Sequence, residues 1–131
     1  MMRPILTLAP AFAIAFALTP SLAPADGVRG ASAACVEVVT FRLVPGAEEA
    51  AFLDAARATE GPLREQPGFL RRRLVQGGDG QWTDWVEWRD AASAHAAAEA
   101  MMGNPAFGPF MALIDGASIV MRHDALTFAM D

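Results

Sequence analysis

Two histidines, His95 and His123, carry the side chains whose ordinary ionisation near neutrality suits proton transfer. Beside them the chain offers one thiol at Cys35, one asparagine at Asn104, and a basic run, Arg71-Arg72-Arg73, able to steady an anion. The rest of the catalytic menu is short. There is no Lys, so Schiff-base chemistry, a pyridoxal linkage and a P-loop are excluded. There is no Tyr to supply a phenol. Cys35 has no second cysteine with which to form a disulfide. His95 and His123 lack the spacing of a metal pair, and neither Ser93 nor Ser118 lies in a nucleophile elbow. No dinucleotide fingerprint is present, so neither metal nor cofactor is expected.

The chain that must position these groups has 131 residues, 53% hydrophobic and 19% charged, which suits one domain with a real core. Its formal charge of −5 argues against a nucleic-acid partner. Residues 1–25 read as a signal peptide. A weakly basic start precedes an apolar run from Ile5 to Leu18, too short to span a bilayer, and Ala23-Pro24-Ala25 offers the small residues of a cleavage site after Ala25. The mature protein is expected in the periplasm or outside the cell, with no membrane span. Residues 26–33 are a Gly- and Ala-rich linker, and residues 34–131 form the domain. Ser32-Ala33-Ala34 lacks the large aliphatic residue that precedes a lipidated cysteine, so Cys35 is expected to remain a plain thiol.

Within the domain, Cys35 to Val44 reads as a strand closed by Pro45-Gly46. A helix follows with Phe52, Ala55, Ala56, Thr59 and Leu63 on its buried stripe, interrupted at Gly61-Pro62 and closed by Pro67-Gly68. Phe69 to Gln76 and Gln81 to Arg89 flank Gly77-Gly78-Asp79-Gly80 as a hairpin. A four-residue loop would pair Gln76 with Gln81, Arg73 with Asp84, Arg71 with Val86 and Phe69 with Trp88. One face would then carry Phe69, Arg71, Arg73, Val75, Trp82, Asp84, Val86 and Trp88, and the other Leu70, Arg72, Leu74, Thr83, Trp85 and Glu87. Asp90 caps a second helix with Ala91, Ala94, His95, Ala98, Met101 and Met102 on its apolar stripe. Gly103-Asn104-Pro105 ends it, a short helical segment follows through Phe107 and Phe110, and Ser118 to Met130 is the last strand. The order βαββαβ predicts an α+β, ferredoxin-like sandwich with an antiparallel sheet. Both hairpin faces hold large apolar groups, so a second copy is expected to cover the open one, giving a homodimer.

The stretch from Val36 to Met130 resembles the antibiotic biosynthesis monooxygenase family. The matching pieces are Phe41-Arg42-Leu43-Val44-Pro45-Gly46, Gln66-Pro67-Gly68-Phe69-Leu70, Val86-Glu87-Trp88-Arg89-Asp90 and Asn104-Pro105-Ala106-Phe107. The resemblance implies a dimeric α+β barrel with a pocket between sheet and helices in each protomer. Its best-known enzymes oxidise aromatic phenols without metal or flavin, the deprotonated substrate itself reducing oxygen. A haem-degrading branch places polar or aromatic groups where this chain has Phe41, Ala97 and Met111, so that chemistry is not expected. Many relatives carry a His at the position of Ala97, and His95, two residues earlier, does not inherit its direction.

On this reading Trp88 is either a core anchor or the wall of an aromatic slot, or both, with Phe69 opposite and Val86, Phe107 and His95 nearby. Arg73 pairs with Asp84, leaving Arg71 either to steady a phenolate or to reach solvent. Arg72 stacks on Trp85 or meets a partner subunit. His123 either faces the pocket and moves the proton or lies at the dimer seam or in water, and His95 is either a second acid–base group or a core or interface histidine. The expected activity is that of an exported, cofactor-independent monooxygenase on a small aromatic phenol or quinol. The alternative is a non-catalytic envelope module that binds a hydrophobic small molecule in the same pocket.

Overall fold

The computed structural model describes residues 34–130, so the expected signal peptide and the whole expected linker lie outside the described residues. The β-branched run Val36 to Thr40 makes strand β1, Cys35–Phe41. It ends before a turn in which Pro45 and Gly46 occupy the central positions. Gly46 takes φ of 81° and the Ala47 N–H bonds the Val44 carbonyl at 3.1 Å, the geometry for which a Pro-Gly pair is suited. Helix α1, Glu49–Ala58, and helix α2, Glu60–Arg64, are separated at Thr59, in front of Gly61-Pro62. Phe52, Ala56, Thr59 and Leu63 are all buried, as the helical spacing predicts.

A second Pro-Gly turn at Pro67-Gly68 leads into β2, Phe69–Gln76, which pairs with β3, Trp82–Trp88. Then come α3, Ala91–Met102, α4, Phe107–Ala112, a 3-10 turn at Gly116–Ser118, and β4, Val120–Ala125. The sheet order is β2-β3-β1-β4 with every pairing antiparallel, and the two main helices cover one face. This is the ferredoxin-like arrangement expected from the element order. The first and last strands are shorter than their sequences suggest. Beyond Phe41 the chain keeps only an isolated bridge from Leu43 to Ile114, and β4 ends at Ala125.

The hairpin register differs by one residue from the expected one. The loop is Gly78-Asp79-Gly80, with the Gly77 N–H on the Gln81 carbonyl at 2.7 Å and Gly80 at φ of 81°. Gln76 therefore faces Trp82, Leu74 faces Asp84 and Arg72 faces Val86. Arg71, Arg73 and Val75 lie on the outer face with Thr83, Trp85 and Glu87, opposite to Trp88. The anticipated Arg73–Asp84 bridge is replaced by Arg72–Asp84 at 2.6 Å. A bulge at Leu70 then restores the expected pairing of Phe69 with Trp88. The outer face is more polar than the assumed register implied, because Arg71 and Arg73 both approach Glu87, at 3.2 and 3.6 Å.

Two apolar clusters sit between sheet and helices. One joins Val86, Trp88 and Leu63 to Ala94, Ala97 and Met101 of α3. The other joins Phe41, Phe52, Trp82 and Phe110, with the Phe52 and Trp82 rings 4.8 Å apart and edge-on.

Asp90 caps α3 as predicted, its Oδ1 accepting the Ser93 N–H at 2.8 Å. Hydrogen bonds from Ser93, with Arg89 adding its charge, hold the Asp90 carboxyl below its ordinary range. A carboxyl lowered in the folded state stabilises above its unfolded ionisation range and loses that contribution as pH falls through the folded value. The unfolding midpoint of the native chain should thus exceed that of Asp90→Ala at neutral pH, with the gap closing in acid. Urea titrations across pH measure it, and a gap that does not shrink in acid contradicts the ionic cap.

Candidate active site

Between the sheet and helices α3 and α4 lies an open-sided cavity of about 200 Å³, close to the size of a two- or three-ring aromatic. Strand alternation explains its floor. Glu37, Val39 and Phe41 of β1 and Asp84, Val86 and Trp88 of β3 all point to the helical face. Met101, Phe107 and Phe110 form the roof. The walls are mostly apolar, with Glu37, Thr59 and the Arg72–Asp84 pair as polar interruptions.

Trp88 is 1% exposed, and its indole N–H has no hydrogen-bond partner. A buried donor without an acceptor costs roughly 1–3 kcal/mol, and nearly all buried polar groups avoid that state. Trp88 belongs to the cavity wall and its indole nitrogen is itself covered, so a ligand oxygen relieves the deficit only by displacing the side chains that cover it.

Arg72 and Asp84 have a different part. Both Asp84 oxygens accept from Arg72, Oδ1 from Nε at 2.9 Å and Oδ2 from Nη2 at 2.6 Å. Nη1 donates to Thr59 Oγ1 at 2.7 Å, and the guanidinium carbon lies 5.2 Å from the Phe110 ring centre. Their hydrogen-bonding capacity is spent on each other and on Thr59, so the pair stiffens the wall.

The sequence-selected residues divide. Trp88, Val86 and Phe107 line the cavity. Phe69 packs edge-on against Trp88, with ring centres 5.8 Å apart, but faces a separate groove between α1, α2 and β2. Arg71 is on the other side of the sheet beside Glu87, so it does not share the Trp88 face. His123 is on the helical face, and its Nε2 lies 2.8 Å from Glu37 Oε2. His95 is exposed and not part of the buried stripe, which runs through Ser93, Ala94, Ala97 and Met101. Its ring instead meets His123 edge-on, centroids 4.7 Å apart. Glu37 went unselected, although one carboxylate amid Val36, Val38 and Val39 is a visible signal. Arg72 and Asp84 could not be selected without knowing the register.

Cys35 is buried in the core, and burial first, then the Glu37, Asp124 and Asp90 charges, push its thiol above the ordinary range. It is a packing group rather than a nucleophile. Among the described residues, no three His, Cys, Asp or Glu side chains are grouped to hold a metal ion. Nor is any described helix long and apolar enough to cross a membrane.

The family model for antibiotic biosynthesis monooxygenases matches residues 35–112. Among solved structures, the chain is similar to SnoaB from Streptomyces nogalater, a cofactor-independent oxygenase. The two share 22% identity over 76% of this chain and 97% of that one, with a TM-score of 0.52. PA3566 from Pseudomonas aeruginosa shares 21% identity over 75% and 98%, with a TM-score of 0.56. Rv0793 from Mycobacterium tuberculosis shares 16% over 75% and 99%, with a TM-score of 0.56. At these identities the structures report the fold. No curated protein matches the chain.

Proposed function

Because the chain belongs to the antibiotic biosynthesis monooxygenase family, we propose that it is a monooxygenase that needs no bound cofactor and acts on a small aromatic phenol or quinol. The observation that carries this reading is the partnerless N–H of Trp88, a residue of the wall of a mostly apolar cavity. The ring of the substrate lies between Trp88 and Phe107, and its oxygen accepts the indole N–H. That donor stabilises the oxygen most when negative charge develops on it. His123, bonded to a carboxylate of the cavity wall, moves the proton away. The resulting anion reduces dioxygen. For an anthrone, one oxygen atom becomes the new ring carbonyl, the other leaves as water, and the substrate methylene supplies all the electrons.

We also propose that the protein is exported by its N-terminal leader and works as a homodimer. Val75 and Val120, 54% and 61% exposed, with Trp85 between their strands, give the outer sheet face apolar surface for a second copy.

Oxygen uptake by the mature protein in chelator, with a panel of anthrones and dihydroxynaphthalenes, tests the activity. Uptake above autoxidation is expected. Tight binding with no uptake across the panel would transfer the reading to a non-catalytic binding module. The apolar residues Phe41, Ala97 and Met111 on the cavity wall favour that alternative.

A further inference from the structure

We propose that Glu37 is the base that takes the substrate's proton, with His123 as the relay that passes it to water and His95 as the residue that positions the relay. The inference rests on the phenol-oxidising reading above and identifies the group that starts the chemistry.

Two carboxylates line the cavity, Glu37 and Asp84. Asp84 is disqualified as a base because both of its oxygens are held by Arg72. Glu37 is 9% exposed and has no guanidinium on it. Its cross-strand neighbour on β3 is Val86 and on β4 is His123. The imidazole is therefore the polar group bonded to it, at 2.8 Å. A carboxylate so placed touches both the ligand space and a second proton carrier.

The far end of the path is open. His123 keeps 23% of its side chain exposed, on the edge strand of the sheet. From α3, His95 lays its ring edge-on to His123, at 87° between planes, and limits the rotation of that imidazole. Cys35 lies at the start of β1, Arg122 and Asp124 flank His123 on the outer face of β4, and Asp90 caps α3. None of them is bonded to Glu37 or His123.

The step balances without a redox partner. With an anthrone bound, its methylene C–H breaks, an O–H forms on Glu37, and the electron pair moves through the ring to the carbonyl oxygen held by Trp88. At rest the Nε2–H of His123 donates to the Glu37 carboxylate; once Glu37 is protonated, exchange with solvent moves the imidazole hydrogen to Nδ1 and the carboxyl O–H breaks as an N–H forms at Nε2. The Nδ1–H is then lost to water, which restores the resting tautomer and the carboxylate.

The test uses no oxygen. Anthrone is incubated anaerobically with the mature protein in deuterium oxide, binding is followed by tryptophan fluorescence, and deuterium entering the methylene is followed by NMR. The native chain is expected to accelerate exchange. Glu37→Gln and His123→Gln should bind anthrone with similar affinity yet lose exchange by roughly a hundredfold or more, the range of general-base catalysis. Added imidazole should restore part of the rate in His123→Gln, which a purely structural role would not allow. His95→Ala should show a smaller loss. Exchange that persists in both glutamine variants overturns the relay and leaves the phenol reading standing. Native protein that binds anthrone without exchange also overturns the relay, and points to a carrier. Native protein that neither binds nor exchanges overturns the relay and the phenol reading together. Should Glu37→Gln misfold, His123→Gln at the sheet edge carries the decision.

Discussion

Replacing Trp88 with Phe is expected to weaken the binding of a naphthol or anthrone by roughly ten- to a hundredfold while changing stability little. The size follows from the removed donor, since a hydrogen bond to a charged or developing oxyanion contributes roughly 1.5–3 kcal/mol. The stability side has two opposed parts. Shrinking a buried indole to a phenyl loses contacts in the cluster with Val86, Ala97 and Met101. Removing the partnerless N–H recovers a desolvation cost of roughly 1–3 kcal/mol. By contrast, Trp88→Ala removes the whole side chain and should cost roughly 3–5 kcal/mol. Calorimetric titration with ligand and urea unfolding of the same preparations separate the two effects. Unaltered affinity in Trp88→Phe would show that the indole N–H holds nothing and that Trp88 is a core anchor alone.

The second large effect is at the cavity wall. Arg72→Met should destabilise the fold by roughly 3–5 kcal/mol, because it leaves the Asp84 carboxylate buried without its counter-ion. Thr59 is less affected, since its hydroxyl also donates to the Ala56 carbonyl at 2.6 Å. The double variant Arg72→Met/Asp84→Leu should recover most of the loss, because a buried pair and an apolar pair of similar volume are often close in stability. Chemical denaturation of the two single variants and the double reads this directly. A double variant no more stable than Arg72→Met would mean that the pair holds the wall by geometry that hydrophobic packing cannot replace.

The sheet and helices were legible because their signals are local. Pro45-Gly46 and Pro67-Gly68 stop elements where they stand, Asp90 caps its helix, and the helical spacing of Phe52 and Ala56 marks the buried stripe of α1. The side of the hairpin on which Arg71 and Arg72 emerge was not legible. That depends on whether the Gly-rich loop closes over three residues or four, and both fit Gly77-Gly78-Asp79-Gly80. The compensating bulge at Leu70 has neither Gly nor Pro to announce it. Trp88 and Phe69 were placed correctly as a pair only because loop and bulge cancel. The rotation of α3 was misread for another reason. A helix built largely from alanine has little contrast between its faces, so Met102 was expected inside and is 69% exposed. Glu99, one turn after His95, marked the polar face more reliably than the alanines marked the apolar one.

Glu37 shows what alternation alone can supply. Period two puts it with Val39 and Phe41, and any reading that places Phe41 in the core must bring that carboxylate to the same face. Its partner could not be read in the same way, because the pairing of β1 with β4 joins distant parts of the chain.

The claim that this cavity performs metal-free oxygen insertion is tested most directly by isotope. Mature native protein and Trp88→Phe are incubated with an anthrone and isotopically labelled dioxygen in the presence of chelator, and the product is weighed by mass spectrometry. The account predicts a native rate well above autoxidation, one labelled oxygen atom in each product molecule, and a much slower reaction in Trp88→Phe. Product formed no faster than in buffer, or at equal rates by both proteins, would contradict it.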